Sequence, residues 1–183
     1  MRNAVCHFLK RLQEFNFQPE NVIIACGARP IIYAIYKTIL DPGDTVVFPV
    51  PSWNNNHYVH LSSAKAVLIE TRPENNFMPS ASDIKKHIKT ATLISLCSPL
   101  NPTGTTLTKE TLTEICDLIL EENARRENGK KPLYLMYDQI YWTLTFDNTK
   151  HYDPISLRSE MTDYTIFVDG ISKAFAATGV RVG

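Results

Sequence analysis

Cysteine is scarce in this 183-residue chain, and its spacing excludes two classes of protein. The four cysteines are scattered along the sequence at Cys6, Cys26, Cys97 and Cys116. No two of them have the close, paired spacing of a zinc site, and together they do not form a disulfide framework. We therefore expect free thiols in a reducing compartment, and no metal centre.

Long apolar runs and an excess of charge are also missing. No run approaches the ~20 residues that a membrane-spanning helix needs, and Lys10 and Arg11 interrupt the stretch where a signal-peptide core would lie. Nineteen basic and 19 acidic side chains leave a net charge of +0. Without a basic surplus, neither nucleic acid nor a membrane surface is an expected partner. These absences predict a cytoplasmic globular protein.

What the sequence does contain is an alternation of apolar runs with segments of helical periodicity. Continuous apolar strands separated by helices predict a mostly parallel sheet covered on both faces, which is a three-layer αβα fold. No repeat or linker divides the chain, so we expect one domain over residues 1–183. The expected strands are Val22–Cys26, Thr45–Phe48, Ala66–Ile69, Ala91–Leu96, Leu133–Tyr137 and Thr165–Val168. We expect three helices. The first follows Gly27, and the second runs from Ser82 to Ile88 with Ser80 or Ser82 as its cap. The third runs from the Thr108 cap to Arg126 and ends before Gly129.

Ligands of such sheets bind where the strands end, so the residues after each strand matter most. Lys173 follows the Thr165–Val168 run, where an amine that loses water can attack a carbonyl group. Arg181, eight positions later, has the planar guanidinium that suits a phosphate. Together they indicate a Schiff-base lysine with a phosphate anchor, as pyridoxal phosphate (PLP) requires. Taken alone, a Ser-Lys pair after a strand is more often a solvated loop.

The first two strands also end in residues that could contact such a ligand. Gly27-Ala28-Arg29 opens a helix, where backbone N–H groups can bind an anion, or it is a plain strand-to-helix turn. Trp53, in a proline-fixed loop, could stack on a flat ring or cap the core. His57 could support a carboxylate, although a surface or packing role is more common for such a histidine.

The two central strands end in hydrogen-bonding groups. Asn101 lies in a loop fixed by Pro99, Pro102 and Gly104, where its amide can donate to an oxyanion or a carboxylate. Asp138 ends the Leu133–Tyr137 run, where its carboxylate can pair with a cationic ring nitrogen or cap a helix. Tyr141, three residues on, can donate a phenolic proton to the same ligand.

In this order, the loops resemble the large domain of the fold-type I PLP-dependent enzymes, and within them the class I/II aminotransferases. Asn101–Gly104 is similar to the family's asparagine loop, and Ser172–Gly183 to its lysine signature. The resemblance implies that Lys173 binds PLP covalently, that Asp138 keeps the ring nitrogen protonated, and that catalysis depends on both together with Tyr141. The implied cofactor-binding residues are Gly27, Ala28, Arg29 (through its backbone N–H), Trp53, Asn101, Asp138, Tyr141, Lys173 and Arg181.

The resemblance also implies a reaction and an assembly. An amino group would pass from an L-amino acid to a 2-oxo acid, and the full-length form would be a homodimer. Gly170 departs from the serine or threonine that the family often has three positions before the lysine. Family members are about twice as long, so we expect a truncated large domain that lacks the N-terminal segment and the C-terminal small domain, with little activity alone.

Two other functions fit the same residues. One is a different fold-type I reaction, such as that of a carbon–sulfur β-lyase, which would use every residue named above. The other is a non-catalytic module that binds PLP without turnover. The sequence does not indicate which amino acid or oxo acid would react.

Overall fold

The centre of the fold is a five-stranded sheet in which every pair of neighbouring strands is parallel. A computed structural model describes residues 1–126 and 129–183. The strand order is β2-β1-β3-β4-β5, so each connection between parallel strands is a crossover. The strands are β1 (Thr45–Val50), β2 (Lys65–Glu70), β3 (Ala91–Cys97), β4 (Tyr134–Asp138) and β5 (Thr165–Val168).

Helices cover the sheet on both faces, which confirms the predicted three-layer αβα fold. One face packs on a core that includes Ile32, Tyr36 and Phe48, and the other on a core that includes Ile94 and Ile115. The α-helices are α1 (Arg2–Gln13), α2 (Ala28–Ile39), α3 (Asn55–Leu61), α4 (Ala81–Lys85), α5 (Lys109–Arg125), α6 (Pro154–Leu157) and α7 (Ile171–Ala174). Short 3-10 turns lie at Pro19–Asn21, Pro73–Asn75, Ser159–Asp163 and Thr178–Val180.

Capping side chains start two of the predicted helices where the sequence indicated. The Thr108 hydroxyl accepts a hydrogen bond from the backbone N–H of Thr111 at 3.1 Å, which starts α5. The Ser80 hydroxyl does the same for Asp83 at 3.2 Å and starts α4. Helix α4 is shorter than predicted, because it ends at Lys85.

The prediction of a strand over Val22–Cys26 is wrong. Residues 22–25 have no regular structure, and Ile23 is 79% exposed. Within the described residues, the backbone of Ala25 exchanges hydrogen bonds with Gly183 at 3.0 and 3.2 Å, and no ladder extends from that pair. An apolar run without a neighbouring strand gains neither ladder bonds nor burial, so its β-propensity is not expressed.

The sequence did not predict helices α1 and α3. Helix α1 carries Val5, Phe8, Leu9 and Leu12 on one face, a helical stripe that was overlooked, and it has no fully buried residue. Helix α3 begins with the polar run Asn55-Asn56-His57 and is only seven residues long. Among the described residues, no helix is long and apolar enough to cross a membrane, and the four cysteines are free thiols.

Ile115 and Ile23 provide a matched test of this core. Ile115 is fully buried under the sheet, whereas Ile23 is 79% exposed. We expect Ile115→Ala to lower the free energy of unfolding by about 2–5 kcal/mol, because it removes buried methyl groups and leaves a cavity. Ile23→Ala should change it by less than about 0.5 kcal/mol. Urea unfolding followed by circular dichroism measures both values, and equal effects would contradict this core.

Candidate active site at the carboxyl ends of the strands

The register of the sheet brings the predicted site residues to one edge. Cys97 at the end of β3 pairs with Asp138 at the end of β4, and Asp138 pairs with Val168 at the end of β5. The loops that follow these three strands therefore leave the sheet at the same level. Strand β1 neighbours β3, so the loop after Val50 opens beside them.

Asn101, Tyr141 and Lys173 converge at this edge, although they come from three different loops. The amide Nδ2 of Asn101 donates a hydrogen bond to the Tyr141 hydroxyl at 3.3 Å. The Lys173 ammonium lies 5.8 Å from the centre of the Tyr141 ring. Burial, with a smaller contribution from Cys97, raises the pKa of Tyr141 above its ordinary value, so the phenol keeps its proton at neutral pH.

Asp138 is a carboxyl group without a cationic partner. Its Oδ1 accepts a hydrogen bond from the backbone N–H of Ile140 at 3.0 Å. No lysine or arginine within the described residues forms an ion pair with it. Burial raises the pKa of Asp138 to about 7, and the nearby Asp169 carboxylate contributes in the same direction. A bound cationic nitrogen would offset that desolvation.

Gly27, Ala28 and Arg181 lie together at the start of α2, in an arrangement that could hold an anion. Gly27 precedes the helix with φ +96°, and a Cβ at this position would collide with the guanidinium of Arg181. That guanidinium donates to the carbonyl oxygens of Cys26 at 3.3 Å and Thr178 at 3.1 Å. The N-terminus of a 12-residue helix and a guanidinium thus lie side by side, which suits a phosphate.

Trp53 follows β1, and its ring contacts the side chain of Arg29, a residue for which the sequence suggested only a backbone role. The Arg29 guanidinium lies 4.8 Å from the centre of the Trp53 ring, within cation–π distance. Tyr58 on α3 links this pair to the centre of the site, because the charges of Arg29 and Asp138 both act on its hydroxyl. No hydrogen bond or ring contact within the described parts of the chain joins Trp53 directly to Asp138.

A buried amide holds the Trp53 loop against the sheet. The Oδ1 of Asn55 accepts hydrogen bonds from Ser95 on β3 at 2.9 Å and from Tyr36 on α2 at 3.1 Å. Its Nδ2 donates to Ser52, next to Trp53, at 3.4 Å. The loop that carries Trp53 is therefore fixed to both the central strand and the covering helix.

His57 does not support the Asp138 carboxylate. His57 is exposed on α3. Its neighbour Tyr58 interacts with Asp138 instead, because the charge of Asp138 contributes to the raised pKa of Tyr58. The structure also explains the departure at Gly170. A Cβ there would lie 2.9 Å from the carbonyl oxygen of Val182 and 3.1 Å from Cα of Gly183, so a serine or threonine would clash with backbone.

Three polar residues of this edge were missed from the sequence: Gln139, Trp142 and Asp169. Trp142 donates to Asp169 at 2.9 Å, and Gln139 donates to the same carboxylate oxygen at 3.4 Å. Asp169 directly follows β5, and that position at a strand end was the signal available for it. No group of histidine, cysteine or acidic side chains suited to a metal ion occurs in the described part of the chain.

The residues present fit PLP at both ends of the cofactor. A carboxyl without a cation would face its ring nitrogen, and the Gly27–Arg181 site would accept its phosphate. The family model for aminotransferase class I and II matches residues 1–183. The chain belongs to the class I and II aminotransferase family.

Members of this family resemble the chain over its whole length. It is 31% identical over 185 residues to the aspartate aminotransferase of Bacillus subtilis, and 31% identical over 185 residues to the aspartate/prephenate aminotransferase of Thermus thermophilus. The crystal structure of the Thermus thermophilus aspartate aminotransferase with maleate superimposes with a TM-score of 0.89 at 30% identity. Each match covers 100% of this chain and 45% of the other protein, so the chain spans under half the length of these relatives.

The raised pKa of Asp138 predicts a stability effect with a definite sign. The unfolded chain releases this proton near pH 4, whereas the folded protein holds it to about pH 7, so stability falls as the pH rises through that window. We therefore expect Asp138→Asn, without cofactor, to become more stable relative to wild type from pH 4 to pH 7. Chemical unfolding at a series of pH values measures the difference.

Asp83 provides the control of opposite sign. Its hydrogen bonds with Ser80 and Lys86 lower its pKa, so Asp83→Asn should lose stability relative to wild type as the pH rises above the lowered value. If the difference in the free energy of unfolding between Asp138→Asn and wild type did not change with pH, Asp138 would not be a desolvated carboxyl without a compensating cation.

Proposed function

We propose that the polypeptide which carries this sequence is a PLP-dependent aminotransferase that moves an amino group from an L-amino acid to a 2-oxo acid. The observation that carries the proposal is Asp138, a half-buried carboxyl at the strand edge whose pKa is raised to about 7 by desolvation, with no cation paired to it among the described residues. Lys173 and the Asn101–Tyr141 pair lie at the same edge of the sheet. The anion site of Gly27 and Arg181 supplies the second requirement of the cofactor.

Each residue has a distinct task in holding the cofactor. Arg181 and the backbone N–H groups that open α2 bind the phosphate, and Arg29 contributes its own N–H there. Trp53 would stack on the ring, and its loop is fixed by Asn55. Asp138 would keep a proton on the ring nitrogen. When bound, PLP supplies an electron sink for the carbon next to the amino group of the substrate.

The lysine and the phenol would act together, because they lie beside each other at the strand edge. Lys173 would hold the cofactor through Nζ, and its free amine would serve as the base for the proton on the substrate α-carbon. The Tyr141 hydroxyl, fixed by Asn101 at 3.3 Å, would donate a hydrogen bond to the phenolic oxygen of the cofactor. This positioning keeps the phenol beside the Lys173 ammonium rather than free to rotate.

Several wider properties belong to the same proposal. Residues 1–183 form the PLP-binding large domain, and the complete protein is a homodimer, as the family resemblance implies. Free cysteines favour a reducing compartment such as the cytoplasm. The relatives from Bacillus subtilis and Thermus thermophilus are an aspartate aminotransferase and an aspartate/prephenate aminotransferase. For this chain we propose an amino acid and a 2-oxo acid without assigning the pair.

Lysine variants of the complete polypeptide test the proposal. With a panel of amino acids and 2-oxo acids, wild type should form the new amino acid, and Lys173→Ala should lose about 10²- to 10⁴-fold in rate. Lys37→Ala, which changes an exposed lysine on α2, should match wild type. Product analysis by mass spectrometry measures both rates.

Two results would contradict an aminotransferase. Release of pyruvate and a thiol from a cysteine conjugate, without amino transfer, would identify a β-lyase. PLP binding without turnover of any amino acid would identify a non-catalytic binding module.

A further inference from the structure

A carboxylate outside the predicted site joins the two turns that carry its central residues. Asp169 accepts three hydrogen bonds, from the Trp142 indole at 2.9 Å, from the Gln139 amide at 3.4 Å and from the backbone N–H of Gly170 at 2.7 Å. Three donors on one partly buried carboxylate define its position closely.

The three donors lie on the two turns that carry Asp138 and Lys173, and the distance between these turns sets the geometry of the site. Gln139 lies within the segment that runs from Asp138 to Tyr141, and Trp142 directly follows it. Gly170 precedes α7, which carries Lys173. These two turns follow neighbouring parallel strands, and the backbone N–H of Gln139 donates to the carbonyl oxygen of Val168 at 2.9 Å. The Asp169 carboxylate adds a direct side-chain tie between the turns.

The N-terminal helix packs on the outside of the same tie. Gln13 and Gln139 exchange amide hydrogen bonds at 2.9 and 3.2 Å, and Gln139 is only 1% exposed. The Phe8 ring lies 6.1 Å from Trp142 on one turn and 6.1 Å from Phe175 beyond the other. Helix α1 thus contacts both turns and limits their movement.

Asp169 is also the anionic neighbour of Asp138. Its charge contributes to the raised pKa of Asp138, and burial raises its own pKa only to about 6, so it is mostly ionised at neutral pH. Among the described residues, the other titratable side chains that interact with Asp138 are Cys97 from β3, Tyr58 from α3 and Tyr141 from the following turn. Burial raises the pKa of each, so all three are uncharged at neutral pH, and the Lys173 ammonium lies over the Tyr141 ring.

We propose that Asp169 is a positioning residue, which ties the Asp138 turn to the Lys173 turn and places a second negative charge near the carboxylate that would hold the PLP ring nitrogen. The inference rests on the proposed PLP site. Asp138 would contact a protonated ring nitrogen, and the charge of Asp169 would add to the stabilisation of that cation. Asp169 acts on the cofactor through Asp138 and through the geometry of the two turns.

The first test uses the cofactor-free protein and is independent of PLP. Asp169→Asn keeps the shape of the side chain and removes its charge, so the pKa of Asp138 should fall measurably below about 7. Carbon-13 NMR of carboxyl-labelled aspartate follows the titration, and Asp138→Asn assigns the resonance. Asp44→Asn is the control, because Asp44 pairs with Lys131 at the opposite edge of the sheet. An unchanged titration in Asp169→Asn would overturn the electrostatic role.

The second test measures PLP binding by the complete polypeptide. We expect Asp169→Asn to raise the Kd for PLP about tenfold, which corresponds to the loss of one charge-assisted interaction. Asp44→Asn should stay within twofold of wild type. Equal affinity of Asp169→Asn and wild type would overturn the positioning role. Failure of wild type itself to bind PLP would instead overturn the proposed function, while the NMR titration still decides the charge effect.

Trp142→Phe keeps the experiment decisive if Asp169→Asn does not fold. It removes the indole N–H that donates to Asp169 and retains a ring against Phe8. Circular dichroism verifies its fold. The Kd for PLP should rise at least threefold because one of the bonds that tie the turns is lost, and wild-type affinity would overturn the proposal.

Discussion

The desolvation of Asp138 is the interaction on which the rest of the site depends. Taking a carboxylate out of water is costly unless a cation or several donors compensate, and here one backbone N–H does so at 3.0 Å. The protein reduces that cost by holding a proton, which is why the pKa rises to about 7. Burial disfavours the ionised carboxyl when no cation is bound beside it. The same burial strengthens the attraction between the carboxyl and a bound cationic ligand of the right shape.

The parallel sheet explains why such a group can be assembled from distant parts of the sequence. Because β3, β4 and β5 end in register, three separate loops begin at one level, and their side chains meet although long crossover connections separate them in the sequence. The helix dipole of α2 and Arg181 supply positive potential at the same edge. The site thus has a negative and a positive end, which is the charge distribution that PLP needs.

The sequence was informative where local physics determines the outcome. The largely apolar run Ala91–Leu96 predicted a buried central strand, and the Thr108 hydroxyl predicted the start of α5. The candidate site residues were chosen because their loops follow such strands. Where an element depends on a distant partner, prediction failed: the run Val22–Cys26 has strand propensity, but only Ala25 in it pairs with a distant backbone segment, at Gly183.

The missed polar residues illustrate the same limit. Nothing local indicates that Asp169 accepts a bond from Trp142, since that contact exists only after two turns pack together. Likewise, the orientation of a seven-residue helix decided that Tyr58, rather than His57, faces the site.

The central claim is that Lys173 is the residue that binds PLP covalently. It is tested most directly by treating the complete polypeptide with PLP and borohydride and mapping the modified peptide by mass spectrometry. We expect stoichiometric modification of Lys173. Modification of another lysine instead, or none in the folded protein, would contradict this role.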